Sequence, residues 1–330
     1  MSMKQLRIRP LESLHMGLTR LTGADLAPIA GKETVTPFPP PSTLLGLVGN
    51  ILGVKISVIR GRGGWKESWI ELIRRLCEKR DINSYSTEAP IIWGPLIEGR
   101  KKESKDSRIY LPIYPNYLLD KVDLEKYYDG EIGEEEIEEL KVVERIGVRL
   151  SREMEKVAKV AKRGYRYKAN YVVYTTSNLE EVSLIYLISV KELKEGTYTS
   201  RLGGEDRFAL IEVTEPEDWI SDLYNLKGRR GFLLQPLLYS LKEEYGNTAN
   251  LSQISQLRCI EKIHVPLSKG SVKRPKVVIW GLGYDEVRKL RRPCYRALPH
   301  GSLVELKEDC SKIRAVGLYS VLGYGSLLKF

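Results

Sequence analysis

The chain has 330 residues, of which 42% are hydrophobic and 29% are charged, and its formal net charge is +10. No apolar run approaches the length of a membrane span and residues 1–10 lack a signal-peptide core, so we expect a cytoplasmic protein with no membrane partner. The excess of positive charge attracts polyanions, which makes nucleic acid the leading class of partner.

The cysteines and glycines indicate no metal, redox or nucleotide site. The four cysteines form no Cys-x-x-Cys pair and the three histidines add no metal-ligand spacing, so buried structural thiols are expected. Gly323-x-Gly325 is not followed by a third glycine and a helix, and no Gly-Lys-Ser/Thr triplet occurs. We therefore predict that the protein uses no cofactor and no metal.

The first elements predicted along the chain are a strand and a short helix. Residues 4–9 alternate as a strand does, with Leu6 and Ile8 on one face and basic residues on the other. After a loop rich in Gly and Pro, Ser42 is expected to cap an apolar helix over residues 43–52.

His15 lies between this strand and the loop. Imidazole is suited to remove a proton from a 2′-hydroxyl near neutral pH, which makes His15 a candidate general base for RNA cleavage. A histidine beside apolar residues is more often structural, and no acid or lysine stands at a fixed spacing from it.

A second helix and a basic hairpin follow. Residues 66–80 are amphipathic, with an apolar side made of Trp69, Leu72, Ile73 and Leu76. Residues 91–97 and 109–114 are predicted strands, joined by the polar segment 98–108, which is expected to project. Its basic residues could follow a phosphate backbone, and a solvated loop is the alternative. These residues are Arg100, Lys101, Lys102 and Arg108.

The charge then changes sign along the chain. Residues 129–139 are strongly acidic and are expected to face solvent or a basic partner, whereas residues 141–168 are strongly basic. A helix-like stretch, 151–162, separates the two parts of the basic segment. Tyr and Arg alternate just beyond it, which on a strand is the arrangement for stacking bases and neutralising phosphates. The predicted RNA contacts here are Arg149, Arg163, Tyr165, Arg166 and Tyr167.

Short strands dominate the prediction for the second half. They are expected at residues 182–190, 208–213 and 277–280, with turns at 200–207 and 298–302. The chain ends in the terminal glycine segment, residues 317–328, which is typical of a strand bent by glycines whose backbone lies close to another group. RNA contact is predicted there for Gly317, Gly323, Tyr324 and Gly325.

Several short motifs occur in an order that resembles one family. They are Pro39-Pro40-Pro41-Ser42-Thr43-Leu44-Leu45-Gly46, Gly94-Pro95-Leu96, Arg145-Ile146-Gly147-Val148-Arg149-Leu150, Leu202-Gly203-Gly204-Glu205-x-Arg207, the turn after Leu298 and the terminal glycine segment. Their order is similar to that of the RAMP superfamily, and within it to the third-subunit family of the type III-B CRISPR (Cmr) effector complexes.

This resemblance implies an α+β fold of two ferredoxin-like lobes with inserted β-hairpins, 1–170 and 171–330. It implies a non-catalytic, RNA-binding subunit that holds the 5′ handle of the guide crRNA. The implied partners are the large polymerase-cyclase-like subunit and the backbone RAMP subunit. It also implies that the terminal glycine segment packs beside the first helix.

The sequence is also compatible with two other hypotheses. One is a metal-independent RAMP endoribonuclease that processes CRISPR repeat RNA with His15 as general base. The other is a protein-interaction scaffold whose basic surface meets an acidic subunit and touches little RNA.

Overall fold

The computed structural model describes most of the chain, and its few helices and many antiparallel strands confirm the α+β class. The described residues are 3–19, 34–56, 66–76, 87–133, 136–151, 160–190, 192–204, 207–240, 257–264, 277–285 and 290–330.

Four α-helices and 21 strands form the described part of the chain. The helices are α1 (Pro41–Ile51), α2 (Glu67–Leu76), α3 (Leu124–Asp129) and α4 (Asp218–Asn225). The strands are β1 (Lys4–Pro10), β2 (Gly17–Thr19), β3 (Thr34–Val35), β4 (Ile92–Lys101), β5 (Ser107–Ile113), β6 (Tyr117–Asp120), β7 (Ile137–Glu139), β8 (Val142–Ser151), β9 (Val160–Val172), β10 (Leu179–Ile188), β11 (Gly196–Arg201), β12 (Phe208–Thr214), β13 (Arg230–Leu233), β14 (Leu237–Tyr239), β15 (Ile260–His264), β16 (Val278–Gly281), β17 (Tyr284–Asp285), β18 (Leu290–Arg291), β19 (Cys294–Leu298), β20 (Leu303–Leu306) and β21 (Leu327–Lys329).

The largest sheet has eight antiparallel strands in the order β11-β12-β1-β10-β4-β5-β6-β7. It contains strands from both sides of residue 170. Its central order β12-β1-β10-β4, with α1 between β1 and β4, is that of a β-α-β-β-α-β unit. The described residues between β10 and β12 contain β11 and no helix. The two ferredoxin-like lobes therefore stay a prediction.

One face of this sheet is covered by α1 and α2. Leu6 and Ile8 of β1 are fully buried against them, as the alternation in the sequence predicts. The four apolar residues predicted for the buried side of the second helix are also buried. Burying a side chain of this size stabilises the fold by about 2 kcal/mol, so the two predicted faces contribute substantially to stability.

The other face is covered at one end by the C-terminal half of the chain. A four-stranded sheet, β15-β20-β13-β21, packs there together with α3 and α4. Trp93 in β4 is buried in this second core, and its indole donates a hydrogen bond to the carbonyl of Leu327, 2.9 Å away. The three-stranded sheet β14-β19-β16 instead contributes Leu238 and Trp280 to the first core.

Two local predictions are corrected by the structure. Ser42 is not the N-cap of the first helix, because Pro41 begins α1 with a backbone angle already suited to a helix and Pro40 precedes it. The helix-like interpretation of residues 151–162 is wrong at its described ends, since Ser151 and Val160 pair across two strands. Residues 152–159 of that stretch lie outside the described residues.

The cysteines are also partly reassigned. Cys259 and Cys310 are buried as expected, but they form a disulfide, whereas Cys294 is free and exposed. Within the described ranges, no helix combines the length and apolarity needed to cross a membrane. The same part of the chain has no group of three or more His, Cys, Asp or Glu side chains arranged to hold a metal ion.

Candidate nucleic-acid interface

The basic segment forms a two-stranded antiparallel ribbon, β8 paired with β9, that belongs to none of the larger sheets. Its paired strands run from Val142 opposite Val172 to Ser151 opposite Val160. Ten extended residues span about 30 Å, so the ribbon is long for a pair of strands. We refer to β8 and β9 as the ribbon.

All five predicted contacts of the basic segment lie on the ribbon. Arg149 is in β8, and the other four are in β9, where Arg166 pairs with Val148 and Tyr167 with Gly147. Only the backbone of residues 146–151 and 160–168 is described. The predicted strand conformation is thus present, and the contacts of these side chains stay a prediction.

Backbone hydrogen bonds anchor the base of the ribbon to the segment after β1. Leu14 and Val172 exchange two N–H···O bonds of 3.0 and 2.9 Å. The next residue, His15, bonds through its ring nitrogen Nδ1 to the carbonyl of Asn170 at 2.8 Å, and its own carbonyl accepts from the N–H of Gly204. His15 therefore connects β9 with the turn after β11, and it is buried.

Tyr171 occupies the centre of this anchor. Its buried ring has the guanidinium groups of Arg145 and Arg207 each 5.0 Å from the ring centre, within cation–π range. Glu12 forms an ion pair with Arg207, and this hydrogen bond lowers the pKa of the Glu12 carboxyl and raises the pKa of Arg207. Arg207, at the end of the predicted 200–207 turn, is thus paired with Glu12, while Glu205 in the same turn lies outside the described residues.

The predicted basic hairpin is present, and two of its arginines are held by acids. Arg100 forms ion pairs with Glu180 at 2.6 Å and Glu181 at 3.0 Å. Arg108 pairs with Asp120 at 3.0 Å, which raises the pKa of Arg108. Each of the two arginine side chains is about half exposed. An RNA phosphate at either position would have to compete with a carboxylate.

The turn of this hairpin, residues 102–106, is shorter than the sequence predicted. Lys102 donates two hydrogen bonds of 2.8 Å from Nζ to the carbonyls of Thr176 and Ser177, so it holds the turn against the segment before β10. Lys101 ends β4 and its side chain is half-buried. The turn also carries acidic residues, so its charge is mixed rather than basic.

The glycines of the terminal glycine segment allow close approach of the protein's own backbone. A Cβ on Gly323 would lie 2.2 Å from the carbonyl oxygen of Ile92, and one on Gly325 would lie 1.9 Å from that of Val316. Both glycines have positive φ, of +114° and +66°. Contacts this short exclude any side chain unless the backbone moves.

Gly317 and Tyr324 of the same segment are also enclosed by protein. A Cβ on Gly317 would lie 2.7 Å from the carbonyl oxygen of Leu238. Tyr324 is fully buried, its hydroxyl lies 3.0 Å from Ser42 Oγ in α1, and burial raises the pKa of Tyr324 to about 12. In this chain the segment therefore packs beside the first helix. RNA contact at these positions stays a prediction.

Sequence reasoning missed the anchor of the ribbon. Arg145, Tyr171 and Glu12 are far apart along the chain, and only the antiparallel pairing of the ribbon and the folding back of residues 11–17 bring them together. The alternation of Tyr and Arg did mark the strand. Nothing in the sequence distinguished Tyr171, which is buried, from the tyrosines before it.

No family model and no curated protein matches this chain. Solved structures do match its fold. A chain of the structure described as type III-B Cmr-beta bound to cognate target RNA has a TM-score of 0.60 and 20% sequence identity, over 98% of this chain and 96% of that one. A chain of the same assembly with target RNA and AMPPnP, in state 1, has the same TM-score and identity over 98% and 95%. This chain therefore shares the overall fold of those chains.

Proposed function

We propose that the protein is a non-catalytic, RNA-binding subunit of a type III-B CRISPR effector complex that acts in antiviral RNA-guided interference. In this proposal it docks on the large polymerase-cyclase-like subunit, lies beside the backbone RAMP subunit and holds the 5′ handle of the guide crRNA. The likeness in fold to chains of the Cmr-beta assemblies over almost the whole length supports it, as do the family-like motifs.

The ribbon is the observation that carries the proposal. A strand pair of ten and 13 residues outside the larger sheets offers a long surface to a partner, and its sequence is strongly basic. Its aromatic residues are interleaved with arginines, which suits base stacking combined with phosphate neutralisation. The anchor around Tyr171 fixes the base of the ribbon on the large sheet, so bound RNA would be held in a defined place.

The strand order of the large sheet supports a ferredoxin-like lobe as part of this proposal. The order β12-β1-β10-β4 is the strand order of a ferredoxin-like lobe. In this chain β11 stands where the second helix of such a lobe is expected. In this proposal the terminal glycine segment supports the lobe by packing against α1 and the start of β4.

Replacing Arg163 and Arg166 together by alanine should weaken the binding of guide RNA about tenfold and lower the slope of log affinity against log salt by about 1.5, since two phosphates lose their counter-charges. Fluorescence anisotropy with a labelled 5′-handle RNA, measured over a range of salt concentrations, would provide both numbers.

A matched control removes the same charge elsewhere. Arg74 and Arg75 lie on the exposed side of α2 and pair with Glu71. Their double alanine variant has the same net charge as the ribbon variant and should keep the affinity and the slope of the unmodified protein. Equal losses in the two variants would mean that only total charge matters and would contradict a role for the ribbon.

His15 should behave as a structural residue. His15→Phe loses the bond to the Asn170 carbonyl and should lower the free energy of unfolding by about 1 kcal/mol, whereas His15→Asn retains an amide donor and should recover part of it. Urea denaturation would measure this loss of stability.

Incubation of the unmodified protein with repeat RNA without metal should give no cleavage. Specific cleavage lost in both variants would instead establish the endoribonuclease hypothesis, because an amide cannot act as a general base.

A further inference from the structure

The second face of the large sheet changes character along its strands. In β4, Leu96 is buried under the C-terminal half, and the next residues on the same face are Glu98 and Arg100. In β10, Ile185 in the second core gives way to Ser183. Because the C-terminal half covers only the apolar end, the charged end is left open. We call this part the charged sheet face.

A cavity of about 200 Å³ lies on the charged sheet face. This is several times the roughly 30 Å³ that one water molecule occupies, so the cavity admits a side chain. Its charged lining residues are Arg7, Arg9, Arg100, Glu98, Glu181 and Glu212. They come from four neighbouring strands and are therefore held by the hydrogen bonds of the sheet.

The three arginines are already neutralised. Arg7 pairs with Glu98 at 3.5 Å and Glu217 at 2.8 Å, Arg9 with Glu181 at 2.9 Å, and Arg100 with Glu180 at 2.6 Å and Glu181 at 3.0 Å. Together with Glu212, five carboxylates surround three guanidinium groups, so this face has an excess of negative charge on a chain whose net charge is positive. A nucleic-acid phosphate would be repelled there.

Glu212 is the one of these five carboxylates that pairs with none of the three arginines. It lies directly across from Arg7 in the pairing of β1 with β12, but Arg7 turns to Glu98 and Glu217 instead. Among the described residues the Glu212 carboxylate has no ion-pair or hydrogen-bond partner, and Glu212 is half-buried at the cavity wall. A half-buried carboxylate in this position favours a cationic ligand.

The remaining lining residues suit a long cationic side chain. Ser183 is 94% buried, lines the cavity, and has no side-chain hydrogen bond within the described part of the chain, so its hydroxyl can accept one from a ligand. Leu210 adds an apolar wall beside it. Lysine and arginine combine an aliphatic stem with a terminal donor, which matches a wall, a hydroxyl and a carboxylate.

We propose that the charged sheet face docks a segment of a partner protein, and that one arginine or lysine of this segment enters the cavity and pairs with Glu212. The inference rests on the proposed function to the extent that a subunit of an assembly has protein partners. It assigns the two surfaces to different partners, with RNA on the ribbon and protein on the charged sheet face. It also assigns Arg100 to the protein-docking side rather than to RNA.

The test places a photocrosslinker at the cavity without altering its charges. Leu210→p-benzoylphenylalanine is introduced into the full chain, and the assembled complex is purified through a tag on this chain and irradiated. We expect a crosslink to another protein subunit, mapped by mass spectrometry to a segment with an arginine or lysine. Adding Glu212→Lys should lower its yield about tenfold through charge repulsion. Glu308→Lys, the same reversal at an exposed residue in the C-terminal half, should leave the yield unchanged.

The outcomes are distinct. Crosslinks to RNA, crosslinks within this chain only, no crosslink at all, or a yield that Glu212→Lys does not change would each overturn the proposal. Guide RNA in the same purified complex is measured separately. A complex that lacks RNA but retains the Glu212-dependent protein crosslink would contradict the proposed function and leave this inference standing.

Discussion

Gly325→Ala should lower the free energy of unfolding by at least about 4 kcal/mol, enough to leave the purified chain largely unfolded or aggregated. The new Cβ would lie 1.9 Å from the carbonyl oxygen of Val316, a buried residue whose own N–H donates a 3.1 Å hydrogen bond to the carbonyl of Gly325. A positive φ of +66° adds roughly 1 kcal/mol of strain for any residue other than glycine. Thermal and urea denaturation of the two proteins would measure the loss.

Gly53 supplies a matched control for this substitution. Its φ of +65° is almost the same as that of Gly325, but a Cβ on Gly53 would meet no atom within 4 Å. Gly53→Ala should therefore cost only the strain, roughly 1 kcal/mol. The difference between the two variants isolates the close contact. If both variants were destabilised to the same degree, the terminal glycine segment would not depend on this approach of backbone to backbone.

Gly325→Ala also distinguishes an RNA-binding role of the terminal glycine segment from a structural role. If the bare backbone served mainly to admit RNA, Gly325→Ala would fold normally and lose only affinity for the guide. The described contacts favour a structural role, because the atoms that approach these glycines are carbonyls of Ile92, Val316 and Leu238. RNA affinity of any folded fraction, measured beside stability, distinguishes the two roles.

Much of the fold follows from local patterns in the sequence. The alternation of apolar and basic residues predicted that Leu6 and Ile8 lie on the buried face of β1. Helical spacing predicted the buried side of α2, which consists of Trp69, Leu72, Ile73 and Leu76. These predictions succeed because burial of apolar surface acts on each strand or helix separately. The helix prediction for residues 151–162 failed at its described ends, Ser151 and residues 160–162, because pairing with a partner strand outweighed a local preference that does not include such pairing.

The candidate site was only partly predictable, since charge and aromatic composition identify a segment but not its partners. Nothing in the sequence indicated that Arg100 is paired, but it forms ion pairs with Glu180 and Glu181, which lie in a strand about 80 residues away. The same limit applies to Glu12 and Arg207, which are 195 residues apart. Ion pairs of this kind depend on strand register, which is set by the whole sheet rather than by neighbours in sequence.

Lowering the pH from 7 to 5 should remove about 2 kcal/mol of stability through His300 alone. Burial without a nearby acid lowers the pKa of His300 to about 3, from an ordinary value of 6.5. Its ring is enclosed by Phe38, Tyr114 and Trp280, with ring centres 5.0, 5.8 and 6.1 Å away. Nε2 has no hydrogen-bond partner within the described part of the chain. The folded protein therefore keeps this imidazole neutral.

The direction of this pH dependence is set by which state, folded or unfolded, binds a proton at His300. Above pH 6.5 His300 is neutral in both states and has no effect on the pH dependence. Between pH 6.5 and about 3 the unfolded chain binds a proton that the folded chain does not, so stability falls by about 1.4 kcal/mol for each pH unit. Below about 3 the folded protein is protonated as well and the loss ends. Urea denaturation at a series of pH values would trace this window.

His300→Phe should remove most of this loss between pH 7 and pH 5, because a ring of similar shape that cannot be protonated then fills the aromatic site. His264→Phe serves as the control, since His264 is half-exposed beside Glu305 and its substitution should leave the loss in place. Equal pH profiles for His300→Phe and the unmodified protein would show that His300 is not the group responsible. A profile flattened by His300→Phe alone would locate the acid sensitivity at the site where the His300 ring packs against Tyr114, just after β5, and Trp280 of β16.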